Sequence, residues 1–247
     1  MKLPISYGRQ YISDGDIQAV VETLKSDYLT CGPKIPEFEQ AFCEYVHAKY
    51  SVAVCNATAA LHIAAMALGV KEGDNVICTP MTFASSANCI RFCGGNVRFV
   101  DIDPETYLLD INKLKEILST APKGTYKGMV LVDFAGYPHN MEEYRKVADE
   151  YGMWILEDAC HAPGAYFIDS TGERVYCGCG KYSDITVFSF HPVKHITTGE
   201  GGMACTQNKE YYEKMALYRT HGITHEAEKL QREDGLWYYE MQELGYN

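Results

Sequence analysis

Lys194 is the residue best suited to covalent chemistry, because it is the only lysine in a stretch of aromatic, small and uncharged residues, Phe188–Gly199. Burial disfavours the charged form of a lysine, and the neutral amine is the form that attacks a carbonyl group to make a Schiff base. The glycines between 199 and 202 favour a tight turn and a close backbone approach to a ligand. The stretch therefore predicts a buried, nucleophilic lysine; a surface lysine on a turn is the alternative.

Two other segments offer donors for a phosphate group. The small residues of Asn56-Ala-Thr-Ala-Ala60 join a predicted strand to a predicted helix. Free N–H groups at a helix N-terminus, assisted by the helix dipole, bind phosphate, and the hydroxyl of Thr58 adds a donor. Ser189 precedes Lys194 by five residues and is placed to donate to the same phosphate. A simple helix cap is the alternative for the first segment.

A buried acid and an aromatic residue complete the set of candidates. Glu157 and Asp158 end an apolar run, and a carboxylate buried there needs a partner, such as a protonated ring nitrogen. His161 is a second contact to such a ring, or a polar residue satisfied elsewhere. Phe83 follows another predicted strand and either stacks on a flat ring or belongs to the core. The alternative for Asp158 is that its carboxylate caps the turn that follows the strand.

The elements that must position these residues alternate between short apolar runs and helical periodicity. Such βαβ units predict an α/β fold with a mostly parallel sheet that is flanked by helices and buried on both faces. Ligands of such sheets bind beyond the carboxyl ends of the strands, where the candidate residues fall. Strands are predicted at 51–55, 75–79, 97–101, 129–133, 153–157, 185–190 and 202–205, and helices at 57–68, 83–92, 111–118 and 141–151.

Composition excludes several classes of function. The formal net charge of -11 opposes binding to nucleic acids or anionic membranes. No apolar run approaches the roughly 20 residues that span a bilayer, and no secretory signal is recognisable, so a cytoplasmic location is expected. Most of the 10 cysteines lie in apolar runs, as reduced core residues do. Cys177-Gly-Cys179 lacks further ligands at a metal-binding spacing, so no metal site is predicted.

The order of these motifs resembles the DegT/DnrJ/EryC1/StrS family of sugar aminotransferases, which depend on pyridoxal 5′-phosphate (PLP). The resemblance covers essentially the whole chain, and the Lys194 segment is its most specific part. Its motifs are Gly32-Pro33 with Phe38-Glu39, Asn56-Ala-Thr-Ala-Ala60, Thr79-Pro-Met-Thr-Phe83, Glu157-Asp-Ala-Cys-His161, Phe188-Ser-Phe-His191 with Lys194, Thr198-Gly-Glu-Gly-Gly202 and Arg219-Thr-His-Gly222.

The resemblance implies the large domain of a fold-type I PLP-dependent transferase, similar to that of aspartate aminotransferase, with a mostly parallel mixed sheet flanked by helices. It also implies a role for each matching residue. The lysine that matches Lys194 forms the Schiff base with PLP and later moves a proton between the cofactor and the sugar. The aspartate that matches Asp158 pairs with the pyridine nitrogen, and the residue that matches His161 lies near the ring hydroxyl. The aromatic residue that matches Phe83 stacks on the ring.

The same resemblance implies a phosphate site that two subunits share. Backbone amides at Thr58 and Ala59 and the hydroxyl of Ser189 hold the phosphate. The asparagine that matches Asn247 reaches the phosphate of the neighbouring subunit, so a homodimer with shared active sites is expected. Residues 1–247 are expected to form the PLP-binding large domain alone. Family members carry about 120–140 further residues as a small C-terminal domain, which is expected to be absent from this chain.

The implied reaction is a two-stage transamination. L-Glutamate donates the amine, and a nucleotide-linked 4-keto sugar accepts it. Phe188-Ser-Phe-His191 running into Ile196-Thr-Thr198 is most similar to the enzymes of pseudaminic acid biosynthesis, whose substrate is UDP-2-acetamido-2,6-dideoxy-β-L-arabino-hexos-4-ulose. Two alternatives remain open. One is a truncated or regulatory PLP-binding module without full catalysis. The other is a sugar dehydratase of the same family, in which histidine replaces the lysine; His195 stands next to Lys194.

Overall fold

A computed structural model describes residues 8–232, 235 and 237–247 and contains seven helices and eleven strands within that part of the chain. The helices are α1 Asp14–Lys25, α2 Lys34–Val46, α3 Ala57–Ala67, α4 Ser85–Phe92, α5 Ile111–Thr120, α6 Met141–Tyr151 and α7 Lys209–Arg219. The strands are β1 Tyr50–Val54, β2 Asn75–Cys78, β3 Asn96–Phe99, β4 Tyr126–Val132, β5 Trp154–Asp158, β6 Tyr166–Ile168, β7 Arg174–Tyr176, β8 Ile185–Ser189, β9 Gly202–Thr206, β10 Ile223–Thr224 and β11 Glu240–Met241.

Seven strands form one sheet in the order β1-β9-β8-β5-β4-β2-β3. Strands β3, β2, β4, β5 and β8 pair in parallel, whereas β9 runs antiparallel to both β8 and β1. The α/β class and the mostly parallel sheet are therefore confirmed. The reversal of β9 brings its first residue, Gly202, opposite both Val54 and Ser189, the last residues of their strands.

Successive strand residues point to opposite sides of the sheet, and the central strands are buried on both faces, whereas the edge strand β3 is mostly exposed. Val76 and Cys78 of β2 pack with α3, α4 and α7, whereas Ile77 between them packs with α5 and α6. A third cluster on this second face joins α2 to β8 and β9 through Phe42 and Phe188, whose rings meet edge to face. These layers hold the strand ends, from which the site is built, in fixed positions.

Helix α1 contributes no buried residue to this core. Its N-terminus is fixed by a capping box in which Ser13 and Asp16 exchange hydrogen bonds. Ile17, Val20 and Leu24, which share one side of the helix, are more than half exposed. Among the described residues, none of the helices combines the length and the apolar composition that crossing a membrane requires.

Candidate active site

A cavity of about 400 Å³ lies at the carboxyl ends of the strands, on the sheet face that α3 and α4 cover. Six of the residues predicted to act together line it: Thr58, Phe83, Asp158, His161, Ser189 and Lys194. They meet because β1, β2, β5 and β8 end at the same edge of the sheet, although the residues span more than half of the sequence. The predicted meeting of these residues at one site is therefore present in the structure.

Asp158 supplies a buried carboxylate to this cavity. It is the last residue of β5 and is only 5% exposed. The hydroxyl of Ser86, on α4, donates to Oδ2, and the backbone N–H of Cys160 donates to Oδ1 at 3.2 Å. These two bonds fix the carboxylate but leave part of its accepting capacity, because an ionised carboxylate has about four lone-pair sites. The remaining capacity suits a cationic N–H group of a ligand.

The N-terminus of α3 forms the opposite wall and offers donors for an anion. Asn56 caps the helix by accepting from the N–H of Ala59 at 2.9 Å. The N–H groups of Ala57 and Thr58 have no acceptor in the part of the chain that the structure describes, as is usual in a first turn. Both residues line the cavity, so this end of the helix is suited to a phosphate group.

Ala59 and Asn247 are the two predicted site residues that do not line this cavity. The N–H of Ala59 is engaged by Asn56, so its predicted phosphate contact stays a prediction. Both residues line a second cavity of about 670 Å³, which also includes Tyr246 and Arg219. The predicted contact between Asn247 and a neighbouring subunit stays a prediction as well.

Gly202 is required where β9 passes the α3 N-terminus. A Cβ atom built on it would lie 2.5 Å from the carbonyl carbon of Asn56 and 2.6 Å from the nitrogen of Ala57. Backbone atoms at such distances cannot move aside as a flexible side chain can. The glycine run was expected to allow an approach to a ligand; at Gly202 it allows the approach of β9 to the helix that holds the anion-binding donors.

Lys194 faces the cavity from the loop after β8, and the structure distinguishes it from its neighbour. Lys194 lines both the 400 Å³ cavity and an adjoining one of about 240 Å³, whereas His195 lines only the adjoining one. Lysine, and not histidine, is thus the residue of this pair that reaches the main cavity. Lys194 is half-buried, in contrast to the full burial expected from its apolar neighbours, since Val193 beside it is 48% exposed.

The surroundings of His161 in the cavity disfavour the charged form of its ring. Burial, the nearby charge of Lys194 and His195 lower the pKa of its imidazole, while Asp158 opposes them. Its Nδ1 accepts a hydrogen bond of 3.2 Å from the backbone N–H of Ala135. Phe83 lines the same cavity with 77% of its surface exposed, so its ring is available to a flat ligand.

Behind the site, on the other face of the sheet, Asp133 and Glu157 belong to a buried cluster of hydrogen-bonded side chains. Asp133 is hydrogen-bonded to Glu157, and it also accepts from the thiol of Cys177 at 3.4 Å. Glu157 accepts from Thr186 at 2.6 Å. Burial and the charge of Asp133 raise the pKa of Glu157 to about 8, and burial likewise raises that of Asp133. The pair therefore retains a proton at neutral pH.

Replacing Glu157 by glutamine, which imitates the protonated acid, is expected to change how stability depends on pH. Folding raises the pKa of Glu157 above its ordinary value of 4.5. The protonated side chain therefore stabilises the fold fully below pH 4.5, and this stabilisation is lost as the pH rises towards 8. Between pH 5 and 8 wild type should lose about 3–4 kcal/mol of this stabilisation, so the melting temperature of Glu157→Gln should rise relative to wild type by about 7–14 °C. The exposed Glu116→Gln should show a constant difference from wild type; a constant difference for Glu157→Gln would contradict the raised pKa.

Sequence reasoning missed several residues that complete the site. Ser85 bonds the hydroxyl of Thr58 at 2.6 Å, and Ser86 bonds Asp158. Both lie in the first turn of α4, two and three residues after the predicted Phe83, and a pair of serines at the start of a predicted helix was the available signal. The contribution of Ala135 carried no signal, because a backbone N–H does not depend on residue type.

These features define a class of protein. An α/β sheet holds an amine, a buried carboxylate, an aromatic face and an anion-binding helix N-terminus around one cavity, which is the arrangement that suits a flat, phosphorylated ligand with a cationic ring nitrogen and a carbonyl group. The profile of the DegT/DnrJ/EryC1/StrS aminotransferase family matches residues 10–247. The chain belongs to this family, as its motifs predicted.

Known proteins of this kind are similar over nearly the whole chain. The UDP-4-amino-4,6-dideoxy-N-acetyl-beta-L-altrosamine transaminase of Campylobacter jejuni is 40% identical over 98% of this chain and 60% of its own length. PseC of Helicobacter pylori, an aminotransferase involved in the biosynthesis of pseudoaminic acid, has a TM-score of 0.85 and 30% identity, covering 98% of this chain and 60% of its own.

A protein of Streptococcus pneumoniae, solved in a PLP form and a PMP (pyridoxamine phosphate) form, has TM-scores of 0.81 and 0.84 and 28% identity. The matches cover 98% of this chain and 62% and 63% of the two solved chains. The fold is thus that of the PLP-dependent aminotransferases. The chain spans about 60% of the length of the curated relatives that it matches.

Proposed function

We propose that this chain is the PLP-binding part of a sugar aminotransferase that acts on nucleotide-linked 4-keto sugars. The observation that carries the proposal is the convergence of Lys194, Asp158 and the unpaired N–H groups at the start of α3 on one cavity. The PLP and PMP forms of the S. pneumoniae neighbour support the predicted cofactor, which is confirmed at the level of the family.

Each wall of the cavity has a task towards this cofactor. PLP, when bound, withdraws electrons and so stabilises negative charge on a carbon that exchanges a proton. Asp158 keeps the ring nitrogen protonated, and Ser86 holds Asp158 in position. The N–H groups of Ala57 and Thr58, with the hydroxyl of Ser189, bind the phosphate.

With the cofactor bound, Lys194 would hold its carbonyl group and would supply the amine that moves the proton at the reacting carbon. It lies beside His161 and reaches the cavity that Phe83 borders, so its amine and the aromatic face approach the same ligand. Phe83 packs on the ring and excludes water from it. His161 donates a hydrogen bond near the ring oxygen. These roles account for all six predicted residues of the cavity.

The amine donor is L-glutamate, and the acceptor is UDP-2-acetamido-2,6-dideoxy-β-L-arabino-hexos-4-ulose. The name of the C. jejuni relative and the description of the H. pylori neighbour support this choice of sugar. Residues 1–247 form the large, cofactor-binding domain, and two chains form a homodimer in which Asn247 reaches the phosphate of the partner's site. A cytoplasmic location remains a prediction.

Absorbance spectroscopy on chain 1–247 tests the proposal. PLP uptake should produce a visible band that borohydride removes, and glutamate should bleach it as the amine is transferred to the cofactor. A band that glutamate leaves unchanged would favour a non-catalytic binding module, and a chain that takes up no PLP would refute the proposal.

Mass spectrometry then addresses the substrate. A panel of UDP-, GDP- and dTDP-linked 4-keto sugars is incubated with the glutamate-treated protein. Amination should be greatest for the UDP-linked acetamido sugar. Loss of a hydroxyl group in place of amination would favour the dehydratase alternative, which the position of Lys194 in the main cavity opposes.

A further inference from the structure

The loop that follows β4 is tied down by a buried hydrogen-bonded pair. Asp133 and His139 are both fully buried, and Oδ1 of Asp133 accepts from the backbone N–H of His139 at 3.1 Å and bonds its Nδ1 at 2.9 Å. Burial lowers the pKa of His139 to about 4, so its ring is neutral and Nδ1–H donates to the carboxylate. Asp133 thus joins the two ends of loop 134–138 and fixes its shape.

Within this loop the backbone takes up a conformation that its sequence does not favour. Ala135 has a φ of 55°, in the left-handed region that residues with a Cβ atom seldom adopt. This conformation directs its N–H to Nδ1 of His161 at 3.2 Å. Strained backbone of this kind persists where the surrounding structure holds it, and it is frequent at functional sites.

The next residue contacts His161 a second time. Gly136 has a φ of 83°, and a Cβ atom built on it would lie 2.7 Å from the carbonyl oxygen of His161. The loop therefore touches both the ring and the backbone of His161. Any residue larger than glycine at this position would displace one of the two segments.

These contacts determine where the imidazole carries its proton. A nitrogen that accepts a hydrogen bond has no proton, so Nδ1 of His161 is bare. The groups that face this ring are Lys194, Asp158 and His195, and together with burial they favour its neutral form. The proton of a neutral ring with a bare Nδ1 is on Nε2, which makes Nε2–H the ring's donor.

We propose that loop 134–136 is a positioning element that holds His161 as the Nε2–H tautomer, ready to donate to an oxygen of the bound ring. Ala135 and Gly136 act through His161, since neither residue lines the main cavity. The identity of the ligand rests on the proposed function, whereas the tautomer is a property of the protein alone. A hydrogen bond to the ring oxygen would stabilise its ionised form and so tune the cofactor's absorbance.

Nitrogen-15 NMR of the histidine-labelled chain without added PLP reads the tautomer directly. His161→Gln identifies the signals of His161 by their loss. The wild type should show a bare Nδ1 and a protonated Nε2 at neutral pH. A protonated Nδ1, or a doubly protonated ring, would overturn the proposal.

Two glycine variants separate the contact from simple backbone strain. Gly136→Ala and Gly124→Ala both place a Cβ on a residue whose φ is 83°, but Gly124 has no atom within 4 Å of that position. Both should lose melting temperature from strain, and Gly136→Ala should lose more because of its contact with His161, while only Gly136→Ala should alter the His161 signals. Unchanged His161 signals in Gly136→Ala would contradict the positioning role.

Ala135 provides a second pair if Gly136→Ala fails to fold. Ala135→Gly keeps the N–H and accepts a positive φ, whereas the β-branched side chain of Ala135→Val opposes it. The glycine variant should keep the Nε2–H tautomer, and the valine variant should show a mixture; identical signals in both would overturn the proposal. PLP titration of the same samples tests the proposed function separately. If the protein shows the expected tautomer but takes up no PLP, the proposed function is refuted and the positioning role of the loop stands.

Discussion

Replacing Lys194 by alanine is expected to lower the rate of amine transfer by about 10⁴-fold or more, since one side chain provides both the nucleophile and the proton-moving group. PLP should still bind without a covalent bond, because the anion-binding end of α3 and Asp158 remain in place. Single-turnover kinetics with glutamate, read by absorbance, measure the loss. The visible band that borohydride removes should be absent from the variant.

The adjacent residue is the matched control for this experiment. His195 lines only the neighbouring cavity of about 240 Å³, so His195→Ala should change the rate by less than about tenfold. A comparable loss in both variants would mean that the loop after β8 has been disturbed as a whole. Full activity in Lys194→Ala would show that another group performs the chemistry.

Every strand of the main sheet could be predicted from the sequence, and for the central strands the reason is that burial on both faces leaves short apolar runs such as Val130–Val132 and Ile155–Leu156. The edge strand β3 is mostly exposed, and its prediction depended on its place after a helix. Strand β9 was predicted as a strand but not as an antiparallel one. Its residues Gly202–Thr206 are buried on both sides in either direction, so burial carries no information about orientation. The short hairpin β6–β7 lies outside this sheet and lacks the long apolar pattern.

Helices on the surface were harder to predict than strands. Helix α1 buries no residue and α7 buries only Met215 and Tyr218, so neither shows a continuous apolar stripe. Helix α2 begins with Lys34-Ile-Pro36, and proline reads as a break unless its place in the first turn is known. Helices α2 and α7 pack on elements that are distant in sequence, whereas the local signal for α1 is its capping box.

The candidate site was predictable where it depends on residue type at strand ends. Asp158 and Ser189 end strands that begin as apolar runs, and Thr58 lies in the first turn of a helix. The contributions that were missed depend on long-range geometry. Ser86 reaches Asp158 across 72 residues of sequence, and Ala135 acts through a backbone N–H that a positive φ directs. Reactive side chains at strand ends can thus be predicted from a sequence, whereas the hydrogen bonds that orient these side chains can be identified only from the fold.

Replacing Asp158 by asparagine is expected to lower the rate of amine transfer by about 10³-fold while leaving the fold intact. The charge that keeps the cofactor nitrogen protonated is lost, and removing one partner of a buried ionic contact costs about 3–5 kcal/mol. Asparagine has the same size, its Oδ1 can accept from the N–H of Cys160, and its Nδ2 can donate to Ser86. Single-turnover rates with glutamate measure the effect, and the melting temperature at pH 7 checks the fold.

Glu157→Gln distinguishes loss of a charge at the cavity from loss of any buried acid. Glu157 and Asp158 are neighbours on β5 and are 3% and 5% exposed, but they point to opposite faces of the sheet. Glu157 also retains a proton at neutral pH, so glutamine replaces it without removing a charge. The rate of Glu157→Gln should therefore stay within about tenfold of wild type. Equal losses in the two variants would assign the effect to packing of the strand end, because only Asp158 faces the cavity that Lys194 enters.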